Sequence, residues 1–176
     1  AARRNKKKIG MPEVEEAVDR VIAGPERRSR VVTQRDKEVT AYHEAGHALV
    51  AHLMEHADNV HKITIVSRGL AGGFTRFIPA EERHYAGVNY LKDSMAVALG
   101  GRSAEEMIFG DVTSGASDDL RRTTAIARKM VTEWGMSESL GPRTFGQKQE
   151  MVFLGREISE QRDYGDRIAD QIDDEI

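Results

Sequence analysis

The sequence predicts a mainly α-helical domain with one small β-hairpin, and three observations carry that expectation. Apolar residues recur at three- and four-residue spacing from Val14 to Ile22, Val39 to Met54, Val88 to Ile108 and Tyr164 to Ile176. Residues 60 to 78 show instead an alternating composition on either side of a glycine-rich turn. Finally, His43-Glu44-Ala45-Gly46-His47 lies inside one of the helical runs, and its H-E-x-x-H spacing brings both imidazoles to one side only if the backbone is helical.

The first helix is expected over residues 12 to 23. Pro12 suits a first turn, and Val14, Ala17, Val18, Val21 and Ile22 form one apolar stripe before Gly24-Pro25 stops it. Glu26 to Arg30 are charged and without apolar period, which predicts a linker or boundary here, bounded at residues 25 to 32. Thr33 then caps a second helix, with Asp36 in an approximate capping-box position, running through Tyr42, the His-Glu motif, Leu49, Val50, Leu53 and Met54.

His61-Lys62-Ile63-Thr64-Ile65 and Phe74-Thr75-Arg76-Phe77-Ile78 read as the two strands, joined by Arg68 to Gly73. The second ends at Pro79 and is expected to carry Arg76 outward, as edge strands do; such an edge is either guarded or open to an added peptide strand. Helical period returns from Tyr85 through Leu91, Met95 and Leu99, is expected to break at Gly100-Gly101, and resumes with Ala104, Met107 and Ile108 to Gly110. Ser117 is the expected N-cap of a helix running to Trp134 and stopped by Gly135. Residues 135 to 157 read as loop, and a helical tail follows from Ser159.

The 176 residues, 39% hydrophobic and 31% charged, suffice for one core of ordinary size. No apolar run approaches the length needed to cross a bilayer, and no signal segment opens the chain. With no cysteine, a disulfide scaffold and thiolate metal ligands are excluded, leaving His and carboxylates. Net charge is −3, but residues 1 to 30 hold nine Lys/Arg against five Asp/Glu. The basic start, Arg3-Arg4-Asn5-Lys6-Lys7-Lys8, is read as a solvated helix end and not as a nucleic-acid patch, because no aromatic residue interleaves it. Both ends of the sequence read as truncated.

Histidines four apart on a helix can share one ion, and zinc is the obvious candidate for neutral imidazoles. Glu44 between them stands close enough to handle the proton of a water at the metal. A chain of this composition shows the pattern by accident roughly once in fifty, the competing reading being histidines satisfied in a core. His52 lies about 180° from His43 on the helical wheel and His56 also points away, so neither joins the pair. Val50 and Leu53 stand where a metzincin needs Gly and His. Two imidazoles do not complete a catalytic zinc site, so Asp118 or Asp119 is expected to supply a third ligand, the other residue serving the helix dipole.

Several segments, in this order, resemble the peptidase region of FtsH-type, membrane-anchored AAA+ zinc metalloproteases. They are Glu15 to Pro25, Ala41 to Ala48, Ala96 to Arg102, Ala104-Glu105-Glu106, Phe109 to Ala116 and Trp134 to Ser137. The resemblance implies that His43, His47 and Asp119 hold one Zn²⁺ per chain, with Glu44 catalytic, Asp118 capping its helix and Glu105 hydrogen-bonding a ligand from behind. It also implies that Gly73, Phe74, Thr75, Arg76 and Phe77 hold an extended substrate by main-chain pairing.

On the same resemblance, residues 1 to 24 would end an AAA+ lid, 25 to 32 would link, and 33 to 176 would form the zinc peptidase domain. ATP would belong to an ATPase module outside this sequence, which has no G-x-x-x-x-G-K-[ST] loop. The parent would be a homo-hexamer anchored in the plasma membrane or an organelle equivalent, this domain soluble and facing the cytoplasm, degrading unfolded or membrane proteins and binding no nucleic acid.

Overall fold

The computed structural model describes residues 7–27, 32–69, 71–79, 81–148 and 160–176. Five helices carry the architecture: α1 (Met11–Ala23), α2 (Gln34–Leu53), α3 (Val88–Phe109), α4 (Ser117–Thr132) and α5 (Asp166–Glu175). Strands β1 (Asn59–Thr64) and β2 (Phe74–Ile78) form an antiparallel hairpin beside α2, and short β3 (Gln147–Lys148) pairs with β4 (Glu160–Gln161). The mainly helical class with one small hairpin is therefore the observed fold. Among the described residues no helix is long and apolar enough to cross a membrane.

Helix α2 begins where expected, the Thr33 hydroxyl accepting the Asp36 N–H at 3.0 Å. It ends at Leu53, so His56 lies beyond the helix and its backbone N–H is taken by Asp93. Helix α3 corrects one expectation: it runs unbroken through Gly100-Gly101. Two mid-helix glycines cost about 1 kcal/mol each relative to Ala, and here close packing offsets that cost. A Cβ on Gly46 would collide with the Gly100 carbonyl, and one on Gly100 would sit 2.8 Å from the Gly46 carbonyl oxygen. The two backbones touch where α2 crosses α3, around buried Ala48, Ala51, Leu91, Val97 and Ala98.

The start of α4 differs too. Ser117 is its first helical residue, not its cap; a 3₁₀ turn over Ser114–Ala116 leads in, and at the far end the helix closes on Glu133 after Thr132. That turn is capped by the Thr113 hydroxyl, which accepts the Gly115 N–H at 3.1 Å. Among the described residues the tail becomes helical only at Asp166: β4 comes first and Gly165 precedes α5. Val131, Phe145 and Ile172 form a small core packed by Leu140, Tyr164, Ile168 and Ile176, so the four-residue spacing of the tail is a packing face. Residues 149 to 159 of the expected loop and tail lie outside the described residues, as do residues 1 to 6 of the basic start. Lys7 and Lys8 are exposed and precede α1.

Helix α1 docks by its polar side. Val14, Val18, Val21 and Ile22 of the expected stripe are exposed, whereas Asp19 is only 2% exposed. Its carboxylate accepts from Lys62 Nζ at 2.5 Å and Arg76 Nη1 at 2.7 Å, while Arg68 Nη2 donates to Glu16 Oε2 at 2.7 Å. Arg76 is thus buried and turned toward α1, where the sequence reading has it outward. The reason is cross-strand geometry: Arg76 is opposite Lys62, just past a bulge at His61, and two like charges facing each other need a counter-charge between them. Residues 25 to 27 also pair with the hairpin loop, Arg27 N–H donating to the Ser67 carbonyl at 2.9 Å and Gly69 N–H to that of Pro25 at 3.3 Å. Residues 28 to 31 of the expected linker lie outside the described residues.

Removing one partner of a buried ionic cluster leaves the others uncompensated, so Asp19→Ala is expected to destabilise the fold by about 3–5 kcal/mol. Urea unfolding followed by circular dichroism checks this; a loss below about 1 kcal/mol would class the cluster with exposed ion pairs.

Candidate metal centre

The four-residue spacing on α2 stacks His43 and His47 on the face turned toward α3 and α4. Their Nε2 atoms are 3.0 Å apart. From the first turn of α4, Asp119 Oδ2 reaches to 3.3 Å from His43 Nε2 and 3.6 Å from His47 Nε2. Among the described residues, these three form the group whose ligand atoms converge as a metal site requires.

The donor set can be tested against a metal without placing one. His47 Nδ1 is 2.7 Å from the Val97 carbonyl oxygen, which can only accept, so Nδ1 carries the proton and Nε2 keeps its lone pair. His43 Nδ1 is 2.6 Å from Glu105 Oε1, whose other oxygen accepts the Thr113 N–H at 2.7 Å. Both imidazoles therefore offer Nε2 lone pairs to one point, beside a carboxylate oxygen. Tetrahedral ligands about 2 Å from a zinc ion are roughly 3.3 Å from one another, and the observed triangle of 3.0, 3.3 and 3.6 Å matches that spacing. The residues fit a tetrahedral ion with three protein ligands and one open position.

The electrostatics agree. Burial works against a charge on Asp119, but the imidazoles of His43 and His47 outweigh it and hold its carboxyl well below the usual carboxylate range. Burial also disfavours a proton on His43, yet Asp119 and Glu105 outweigh it and raise its pKa. A cation at this point consequently competes with a proton for the same lone pairs. Glu44 shifts opposite to Asp119: burial raises its pKa, partly offset by the Thr75 hydroxyl, which donates to Glu44 Oε2 at 2.7 Å.

Every residue that the sequence reading assigned to the metal and its support falls here. Glu105 is 1% exposed and lies behind His43, bridging it to the loop that leads into α4. Asp118 points away, 87% exposed and paired with Arg121 at 2.7 Å, in the first turn of α4 where a negative charge suits the helix dipole. His52 is exposed. Strand β2 runs beside α2, with Thr75 reaching Glu44 and Gly73 wedged so closely that a Cβ would meet the Thr64 carbonyl oxygen at 2.5 Å. Phe74 and Phe77 are half-buried.

Three contributors escape the sequence reading: the Val97 carbonyl, the Thr75 hydroxyl as partner of Glu44, and Gly101. A Cβ on Gly101 would come within 2.6 Å of His43 Cε1 and 2.7 Å of both Nε2 atoms. Only the third left a signal, since a glycine pair inside a strongly helical run points to close approach. Gly101→Ala is expected to push the imidazoles off their common point and to weaken metal retention at least tenfold, measured by competition with a chromogenic chelator. Unchanged retention would mean the rings relax freely.

A sequence profile described as peptidase family M41 matches residues 30–176. The chain is 58% identical over 176 residues to an ATP-dependent zinc metalloprotease FtsH 1 from Sphaerobacter thermophilus, covering all of this chain and 27% of that protein. It is 56% identical over 177 residues to an ATP-dependent zinc metalloprotease FtsH 3 from Symbiobacterium thermophilum, covering 28% of it. A third relative, an ATP-dependent zinc metalloprotease FtsH from Chloroflexus aggregans, is 58% identical over 180 residues and is covered to 27%. The chain spans little more than a quarter of the length of these relatives. Since the profile takes in α2 through α5, and with them both histidines, Glu44, Glu105 and Asp119, this chain belongs to peptidase family M41.

Proposed function

We propose that this chain is the zinc-dependent endopeptidase part of an ATP-dependent protease, cutting unfolded polypeptides delivered by an AAA+ ATPase module. The convergence of His43 Nε2, His47 Nε2 and Asp119 Oδ2 beside Glu44 is the observation that carries the proposal. In it, the three residues hold one zinc ion per chain. Bound there, zinc supplies Lewis acidity, lowering the pKa of water toward about 7 and polarising a carbonyl. Glu44, with Oε2 held by Thr75, accepts the proton of the attacking water and returns it to the departing amine. Glu105 and the Val97 carbonyl fix the orientation of the two imidazoles.

Strand β2 pairs with β1 on one side only among the described strands, and its other edge offers main-chain groups to an extended substrate. Gly73 to Phe77 serve by backbone, which tolerates many side chains, and Arg76 contributes no side chain to the substrate because Asp19 holds it. In the division that accompanies this reading, residues 1 to 24 end the lid of the ATPase module, 25 to 32 link, and 33 to 176 are the peptidase domain. The parent is a homo-hexamer anchored in a membrane, acting on membrane and cytosolic proteins.

Elemental analysis with a casein digestion tests the core of this reading. One zinc per chain is expected, with proteolysis lost on treatment with a chelator and regained on adding zinc. Protein that is fully loaded yet inert toward casein and short unstructured peptides would overturn the peptidase assignment.

A further inference from the structure

Thr75 sits where two parts of the fold meet on consecutive residues of one strand. Its hydroxyl is 2.7 Å from Glu44 Oε2, to which it donates, and 3.0 Å from the Glu44 carbonyl oxygen. Successive side chains on a strand point to opposite faces. Accordingly Arg76, the next residue, leaves on the other face, donating to buried Asp19 of α1 at 2.7 Å and lying 2.9 Å from His61 Nδ1. Lys62, opposite Arg76 on β1, binds the same carboxylate. Strand β2 is thus gripped from behind by α1 while it presents one hydroxyl to Glu44 in front.

We infer that Thr75 is a positioning residue for Glu44, and that the ionic cluster at Asp19 keeps Thr75 in place from the far side of the strand. This rests on Glu44 being the proton carrier of the proposed reaction. A carboxylate on a helix retains rotamer freedom unless something holds it, and small displacements of a catalytic group lower turnover without weakening substrate binding. The Thr75 hydroxyl selects one carboxylate oxygen as its acceptor and leaves the other available. It does so from the strand expected to lie against the substrate, so one element aligns both. Helix α1, whose only buried side chain is Asp19, thereby acquires a mechanical connection to the base.

The test measures kcat and KM on a fluorogenic unstructured peptide, zinc content, and the crystallographic position of the Glu44 carboxylate. For Thr75→Val, kcat is expected to fall tenfold or more, with KM within twofold and zinc still at one per chain; the Glu44 carboxylate is expected to leave its present position or become disordered. Thr75→Ser, which keeps the hydroxyl, is expected to recover kcat to within threefold of the parent. A rise in KM with kcat unchanged would reduce Thr75 to a substrate contact and overturn the inference. An unmoved Glu44 in Thr75→Val, or a Thr75→Ser variant as slow as Thr75→Val, would do the same.

The connection to α1 is read from a double-mutant cycle. Asp19→Asn is expected to lower kcat at least threefold in the parent and less than twofold in the Thr75→Val background. If that variant does not fold, Arg76→Lys takes its place. Losses that multiply independently would overturn the α1 connection. The Glu44 position is measured without reference to turnover, so a zinc-loaded parent with no peptidase activity would sink the proposed function separately from the Thr75 contact.

Discussion

Glu44→Gln is expected to abolish digestion of an unstructured substrate while leaving zinc at one per chain. Losing a general base costs on the order of 10²–10⁴ in rate, and the amide cannot take the proton that the carboxylate accepts. The substitution is close to isosteric, and the Thr75 hydroxyl can still donate to the amide oxygen, so the contact between β2 and α2 survives. The ligands themselves are untouched, which is why metal content separates a chemical loss from a structural one. Digestion at the parent rate would remove Glu44 from the mechanism.

The second large effect concerns the choice between adjacent aspartates. Asp119→Asn is expected to weaken zinc retention by more than the roughly 10–100-fold typical of changes one shell further out, because it replaces an anionic ligand with a neutral amide. The two imidazoles beside Asp119 favour its charged form at that atom despite burial. Asp118→Asn is expected to leave retention unchanged, since that side chain is 87% exposed and occupied with Arg121. Competition with a chelator on both variants decides it. Strong retention in Asp119→Asn with loss in Asp118→Asn would reverse the assignment.

The difference between these two residues illustrates how far local pattern reaches. Adjacent helical positions differ by about 100° in direction, so a helix starting at residue 117 can aim one aspartate at a given point but not both. Which one it aims depends on how α4 lies across α3, and that is set by the 3₁₀ turn over Ser114–Ala116 and by the Thr113 to Glu105 hydrogen bond. Residues 105 and 113 come together only because α3 ends in the left-handed Gly110 and the chain doubles back. Periodicity carries no information about such a crossing.

Two departures from what local pattern suggests have the same origin. Gly100-Gly101 reads as a helix break because glycine is a poor helix former, yet α2 passes near enough to leave no room for a side chain. The apolar stripe of α1 reads as its packing face because apolar residues usually turn inward. In this fold the hairpin presents Lys62, Arg68 and Arg76 to the helix, where buried Asp19 receives Lys62 and Arg76 and Glu16 receives Arg68. In both cases the deciding partner lies more than forty residues away along the chain.

By itself, the order of residues determined the helical class, the hairpin, the cap at Thr33 and the pairing of His43 with His47 around Glu44. Each of these depends on neighbours within one or two turns, where backbone geometry is periodic and nearly invariant. Tertiary structure alone decided that Asp119 meets those imidazoles, that Glu105 and Val97 orient them, that Gly101 makes room for them and that Thr75 holds Glu44. Those contacts depend on the angle and depth at which separate elements pack, and packing is fixed by the sum of many weak interactions that no short stretch of sequence contains.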